Sequence, residues 1–211
     1  MVSVNEYKTV ETTSALEFDE KKSRFICVCT HVENANEIDE FLENLRKNNK
    51  DAKHIAYAYI LGKDSSVTKN NDDNEPAGTA GTPIFNAIRE MRVTDTLVAV
   101  VRYFGGIKLG KPKLARAYHT SALEGLKNAK IVKMVDCAIY ALTIKYPDFV
   151  PIGAYLRDHH LPIISAEYGD VVSLRVALPS ALAEQHISEL KMKLSSEFMC
   201  SKVDSGFFKF E

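Results

Sequence analysis

Residues 98–113, Val-Ala-Val-Val-Arg-Tyr-Phe-Gly-Gly-Ile-Lys-Leu-Gly-Lys-Pro-Lys, combine three structural signals in one short stretch. The apolar, β-branched residues at its start predict a buried strand. The glycine-rich loop that follows carries lysines, and helical periodicity begins at Pro112. Backbone N–H groups at a helix N-terminus, together with the helix dipole, favour a bound anion. The stretch therefore predicts a strand, a glycine loop and a helix that form an anion-binding site.

The glycine loop has the spacing of a nucleotide-binding P-loop, G-x-x-x-x-G-K, from Gly105 to Lys111. In a P-loop the next residue is Ser or Thr, whose hydroxyl binds magnesium. Here the next residue is Pro112, which has neither a hydroxyl nor an N–H. This departure argues against a nucleoside triphosphatase but leaves anion binding open. The alternative is a tight turn that needs glycine only for its backbone geometry.

Positive charge is concentrated around this loop. Seven cations and only two carboxylates lie between Arg89 and Arg116, which leaves a local net charge of +5, whereas the whole chain has a net charge of -1. Nucleic-acid binding would therefore need a local patch. Lys113 and Arg116 share one face of the predicted helix and suit phosphate contacts. A solvated helix face is the alternative interpretation of the same charges.

An acidic loop is the counterpart of this basic region. Asp72, Asp73 and Glu75 lie within four residues of one another, so they could bind a divalent cation or pair with the cations. The register of an EF-hand is absent. We expect these carboxylates to order their loop. His54 precedes an apolar segment and, as a lone histidine, is more often structural than catalytic.

The remaining composition bounds the class of protein. A length of 211 residues suits one large domain or two small ones. The four cysteines have no C-x-x-C spacing, so we expect buried, reduced thiols, with Cys27 and Cys29 on one strand face. The N-terminus lacks the pattern of a signal peptide, and no apolar run is long enough for a membrane span. We expect a soluble, cytoplasmic protein with no cofactor, no metal and no catalytic residue that can be named.

Periodicity predicts an α+β protein with two domains. In the first domain we expect strands at 7–13, 18–30, 54–61 and 97–104, helices at 36–48, 82–91 and 112–128, and a polar loop at 62–82. Thr82 is the expected N-cap of the second helix, because Pro83 follows it at the first helical position. In the second we expect a strand near 138–144, a helix at 148–159, a hairpin of 161–167 with 171–178, a last helix that opens at Pro179-Ser180 and reaches Leu194, and a strand at 198–210. This order is βαββαβ, the ferredoxin-like arrangement. The predicted domains are 1–132 and 133–211.

Four blocks of this sequence resemble the IMPACT family, a group of small cytoplasmic proteins linked to translational control. The blocks are 22–26, His54 with Ala58-Tyr59, residues 72–83, and 100–110 followed by Leu114-x-Arg116-Ala117-Tyr118. The resemblance implies an N-terminal domain like the second domain of a small-subunit ribosomal protein, a fold shared with domain IV of elongation factor G. It also implies a ferredoxin-like second domain. Eukaryotic members antagonise a starvation-responsive initiation-factor kinase.

These observations lead to one preferred hypothesis and two alternatives. The preferred hypothesis is a non-enzymatic, translation-associated regulator that binds RNA, the ribosome or a translation factor. One alternative is a protein–protein interaction module with an acidic partner; the other is a divalent-metal-dependent hydrolase. The predicted binding residues are Arg102, Tyr103, Gly105, Gly106, Lys108, Lys111, Lys113 and Arg116, with His54, Asp72, Asp73 and Glu75 beside them.

Overall fold

A computed structural model of the protein describes residues 6–193 and 198–210. The chain divides into two compact units, and the division falls between Val132 and Lys133. Glu6, in the first described strand, is grouped with the unit that begins at Lys133. The class is α+β with two domains, as predicted.

The N-terminal unit is a five-stranded antiparallel sheet with helices on both faces. The sheet order is β2-β3-β6-β4-β5. Helices α2 and α3 cover one face, and α1 covers the other. The elements of this unit are β2 (Ser14–Glu20), β3 (Ser23–His31), α1 (Ala35–Asn48), β4 (His54–Leu61), β5 (Val67–Asn71), α2 (Gly81–Met91), β6 (Thr96–Tyr103) and α3 (Lys111–Asn128). Strand β1 (Glu6–Val10) precedes them and is not one of the five strands of this sheet.

The central strand β6 is buried on both faces. Val98 and Val100 pack in the core beneath α2 and α3, whereas Leu97, Ala99 and Val101 pack beneath α1. Successive side chains of a strand point to opposite faces. An unbroken apolar run is therefore what a strand between two helical layers requires, and the predicted buried strand at 97–104 is confirmed.

Two parts of the N-terminal unit differ from the prediction. The single strand predicted at 18–30 is two strands, because Lys21 and Lys22 both have positive φ and form the two-residue turn of a β2–β3 hairpin. The loop predicted at 62–82 contains strand β5, which pairs with β4 at the edge of the sheet. All five residues of β5 are exposed, so the strand has no apolar alternation to reveal it.

The C-terminal unit has the predicted βαββαβ order. Its strands lie in the order β10-β7-β9-β8, and α4 and α5 pack against one face of the sheet. The helix predicted to open at Pro179 begins at Ala183 instead, because Pro179 ends β9; Leu194 lies outside the described residues. The elements are β7 (Ile131–Ile144), α4 (Tyr146–Asp158), β8 (Ile163–Tyr168), β9 (Val172–Pro179), α5 (Ala183–Lys193) and β10 (Met199–Phe210).

The four cysteines are free, and Cys27, Cys29 and Cys137 are buried. The Sγ atoms of Cys27 and Cys29 lie 3.6 Å apart on the face of β3 that α3 covers. In the described parts of the chain, no helix combines the length and the apolar character needed to cross a membrane.

Candidate functional site

The candidate site lies at one end of the N-terminal sheet. Strand β4 begins there at His54, and β6 ends there at Tyr103; the register places His54 opposite Arg102. The glycine loop then leads from β6 to the first turn of α3, and the acidic loop follows β5. Antiparallel pairing of neighbouring strands therefore gathers segments that are far apart in sequence.

A buried ion pair joins the acidic loop to the sheet. Arg102 Nη1 donates a hydrogen bond of 2.6 Å to Glu75 Oε1, and the Tyr118 hydroxyl donates to the same oxygen at 2.8 Å. All three side chains are buried. Burial raises the pKa of Tyr118, and the Glu75 carboxylate raises it further, so this hydroxyl stays protonated as a donor.

The position of Arg102 corrects one prediction. We expected Arg102 to contact phosphates together with the lysines of the loop, but the residue is only 5% exposed and is the charge partner of Glu75. Alternate side chains of a strand point to the same face of the sheet. Arg102 therefore lies on the face of β6 that buries Val98 and Val100 beneath α2 and α3. Arg102 therefore belongs to the buried wall of the candidate site and not to the exposed cations around it.

Tyr103 is also placed differently from the expectation. As the next residue of β6, it lies on the opposite sheet face from Arg102. Its hydroxyl donates to Asn49 Oδ1 at 2.8 Å, and the guanidinium of Arg24 lies 4.5 Å from the centre of its ring. These contacts link Tyr103 to the end of α1 and to β3 rather than to the glycine loop.

Asp72 organises the start of α2. Its carboxylate accepts hydrogen bonds from the backbone N–H groups of Gly78, Ala80 and Gly81 at 2.8 to 2.9 Å. Partial burial raises the pKa of Asp72, but the three donors outweigh it and hold that pKa below its usual value. The predicted cap at Thr82 is wrong, since the helix begins at Gly81 and the capping oxygen comes from this distant aspartate.

Asp73 and His54 hold the acidic loop against the sheet. Asp73 forms an ion pair with Arg46 of α1 and accepts the Ile55 N–H at 2.6 Å. His54 Nδ1 lies 2.8 Å from the Asp73 carbonyl oxygen, so this nitrogen is the donor. The prediction that Asp72 and Asp73 order their loop is consistent with these contacts, and Asn74 adopts the left-handed turn that asparagine tolerates (φ 66°).

A cleft of about 430 Å³ opens between the glycine loop and the start of α3. The buried residues Glu75 and Arg102 belong to its wall, and Phe104 is its most exposed aromatic side chain. Gly110, at the N-cap of α3, has positive φ, and no side chain caps the helix there. The lining residues are Lys53, His54, Glu75, Pro76, Arg102, Phe104, Lys108, Leu109, Gly110, Lys111 and Leu114.

Exposed cations lie on the glycine loop, on the start of α3 and on the β2–β3 turn, and Lys108 and Lys111 among them line the cleft. This group of cations is named the lysine surface. It comprises the predicted Lys108, Lys111, Lys113 and Arg116, and two residues that the sequence analysis missed, Lys21 and Lys22. The nearby Lys21 ammonium lowers the pKa of Lys113, and the Glu20 carboxylate acts in the opposite sense. In the described chain, none of these six cations forms an ion pair with a carboxylate.

Close backbone packing brings the two parts of the lysine surface together. A Cβ atom added at Gly105 would lie 1.9 Å from the Lys22 carbonyl oxygen, so only glycine permits this approach. Gly106, by contrast, has open space around it and a positive φ of 84°. Glycine is therefore required at the two positions for different reasons. At Gly105 there is no room for a side chain, and at Gly106 the backbone is left-handed. Lys22 lies in a block that the resemblance had marked, but its turn geometry was not visible in the sequence.

The comparisons with known proteins agree along the chain. Residues 21–126 match the model of the Impact N-terminal domain. IMPACT family member YvyE of Bacillus subtilis (strain 168) is 33% identical over 196 residues, which cover 93% of this chain and 86% of the relative. YigZ of Escherichia coli (strain K12), named as a member of the same family, is 34% identical over 172 residues, with coverage of 81% and 84%.

A solved structure described as that of a hypothetical protein superposes with a TM-score of 0.62 and 29% identity, and covers 95% of this chain and 98% of its own. The likeness therefore extends through both units. The domain model, the identity with bacterial relatives and the shared structure agree: the chain belongs to the IMPACT family.

Proposed function

We propose that this protein is a translation-associated regulator that binds RNA, free or within the ribosome, through its lysine surface. The observation that carries the proposal is the exposed lysine surface itself, in which the backbone of Gly105 packs against that of Lys22 and brings the hairpin turn to the glycine loop. Like charges held near one another repel, and none of the six cations of this surface pairs with a carboxylate in the described chain. A polyanion relieves such repulsion and gains from the release of its counterions.

The geometry of the surface suits a phosphate backbone. It is assembled from a hairpin turn, a glycine loop and a helix N-terminus, which lie at one end of the N-terminal sheet. Lys113 and Arg116 follow each other on one face of α3, and the uncapped N-terminus of that helix adds its dipole. Contacts of this kind position a backbone without reading its bases. We therefore expect binding that varies little with RNA sequence.

The hydrolase alternative has less support. Asp72 and Asp73, which would have to bind a divalent ion, already accept backbone N–H groups, and Asp73 also pairs with Arg46. In the described residues, no group of three or more His, Cys, Asp or Glu side chains is arranged to hold a metal ion. These carboxylates hold the site together instead.

The test is the salt dependence of RNA binding. The triple substitution Lys108→Gln, Lys111→Gln and Lys113→Gln removes half of the lysine surface. Each lost contact to single-stranded RNA should reduce the slope of log K against log salt by about 0.7, so the triple variant should lose about 2 from its magnitude. The weakening should be similar for RNAs of different sequence.

A matched control is Lys8→Gln, Lys50→Gln and Lys69→Gln, which removes three exposed lysines of the same unit outside the lysine surface. This variant should retain most of the wild-type slope. Equal slopes for the wild type and the Lys108 triple variant would refute the proposal. If the wild type binds no RNA at low salt but retains a protein partner after nuclease treatment, the acidic-partner alternative takes its place.

A further inference from the structure

Arg102 has an unused hydrogen-bond donor beside the cleft. Its Nη1 donates to Glu75, and Nη2 lies 3.5 Å from Ser23 Oγ, but Nε has no partner among the described residues. Buried N–H groups in native proteins nearly always have an acceptor, so an unpaired one points to a missing water, ion or ligand. The guanidinium is buried and belongs to the wall of the cleft.

One part of the cleft wall is positively charged, and another part is apolar. Lys53, Lys108 and Lys111 supply positive charge, and the uncapped start of α3 adds its dipole, whereas Glu75 is neutralised by Arg102. Pro76 and Phe104 supply apolar surface. Phe104 is 42% exposed, and the centre of its ring lies 5.5 Å from the Arg102 guanidinium. A ligand that combines an anionic group with a flat ring fits both parts of the wall.

We propose that the cleft binds a 5′-phosphorylated nucleotide, with its phosphate at the start of α3 and its base on Phe104. A terminal phosphate carries nearly two negative charges at neutral pH and accepts several hydrogen bonds, so it suits three lysines and a helix N-terminus better than an internal phosphodiester does. Exposed aromatic rings stack on any base. The volume of about 430 Å³ lies in the range of small-molecule sites.

This inference rests on the proposed function for the choice of a ribonucleotide, because the cleft opens beside the lysine surface. The nucleotide has two sources, a free nucleoside monophosphate or the phosphorylated 5′ end of an RNA. The chemistry of recognition is the same in both, and the experiment below separates them.

The experiment is calorimetric titration of the full chain at low salt with adenosine 5′-monophosphate, adenosine and ribose 5-phosphate. The intact nucleotide should bind at least about tenfold more tightly than either fragment, since adenosine lacks the charge-assisted contacts and ribose 5-phosphate lacks the stacked base. Phe104→Ala should lower the affinity for the nucleotide about tenfold, whereas Ile107→Ala, an exposed apolar residue of the same loop, should not. Lys53→Gln should weaken binding, and its neighbour Lys50→Gln should not.

A pair of RNAs of one sequence, with and without a 5′-phosphate, identifies the source. Preference for the phosphorylated RNA together with sensitivity to Phe104→Ala assigns the cleft to an RNA end, and binding of the mononucleotide alone assigns it to a free nucleotide. Salt-dependent RNA binding with no effect of the 5′-phosphate, of Phe104→Ala or of the mononucleotide would overturn this inference and leave the proposed function standing. Binding of the mononucleotide without any RNA binding would overturn the proposed function and leave the nucleotide-binding cleft standing.

Discussion

The buried pair of Glu75 and Arg102 allows the sharpest test of how the site is held together. Glu75→Gln preserves the shape of the side chain but removes the charge that neutralises Arg102, which is 5% exposed. Removing one partner of a buried ion pair costs about 3–5 kcal/mol, because the other charge stays buried without compensation. A typical domain has a free energy of unfolding of only about 5–15 kcal/mol. The loss is therefore a large part of the total stability.

Three comparisons fix the origin of this cost. Tyr118→Phe removes one hydrogen bond to Glu75 but keeps the ion pair, so it should cost only about 1–2 kcal/mol. Glu124→Gln breaks an exposed ion pair with Lys127 and should cost less than about 1 kcal/mol. The double variant Glu75→Gln with Arg102→Met should cost less than the sum of its single variants, because neither charge is then left unpaired.

The assay is urea unfolding followed by far-UV circular dichroism, since the chain contains no tryptophan. Amide hydrogen exchange of β6 assigns the loss of stability to the N-terminal unit. The reasoning is refuted if Glu75→Gln costs no more than Glu124→Gln, or if the effects of Glu75→Gln and Arg102→Met simply add.

Two further predictions concern local structure. Asp72→Ala should cost about 0.5–2 kcal/mol at neutral pH, because the N–H groups of Ala80 and Gly81 at the start of α2, and that of Gly78 in the loop before it, lose their acceptor. The folded-state pKa of Asp72 is lowered, so its contribution is present above the unfolded pKa of about 3.9 and is lost as pH falls through the folded value. Gly125→Ala should cost about 1–3 kcal/mol, because the added methyl would lie 2.3 Å from Cys27 Sγ.

Each of these has its own control. Unfolding measured from pH 7 down to pH 2 should show the Asp72→Ala variant and the wild type converging in acid, and a constant difference would contradict the assignment of the three donors to the ionised carboxylate. Gly153→Ala is the matched helix substitution, since an added methyl there meets no described atom within 4 Å. It should stabilise α4 by up to about 1 kcal/mol, and equal effects at the two glycines would refute the packing argument.

Local patterns predicted most of the helices and strands, but they missed one strand at the edge of the sheet and misplaced the cap of one helix. The helix at 36–48 is confirmed within one residue at its start, because α1 carries its own cap at Asn34 and its apolar residues at helical spacing. Strand β5 was missed since an exposed edge strand leaves no periodicity in the sequence. The cap of α2 was assigned to the wrong residue because Asp72, eight residues before Ala80, is outside the range of local capping rules.

The candidate site was only partly predictable. Charge density around the glycine loop pointed to Lys108, Lys111, Lys113 and Arg116, which are exposed as a binding surface needs. Lys21 and Lys22 join them because α3 packs on β2 and β3, and this packing brings the hairpin turn to the start of the helix. No spacing rule connects two segments 90 residues apart.

The sequence by itself determined the family, the order of the elements and the buried central strand, because each of these follows from residue types and their local periodicity. Only the tertiary structure decided the role of each charge. Arg102 and Lys108 are both cations near one loop, yet one is buried against Glu75 and the other faces solvent. Strand alternation and the packing of α2 and α3 decide between these environments, and both depend on contacts between residues far apart in the chain.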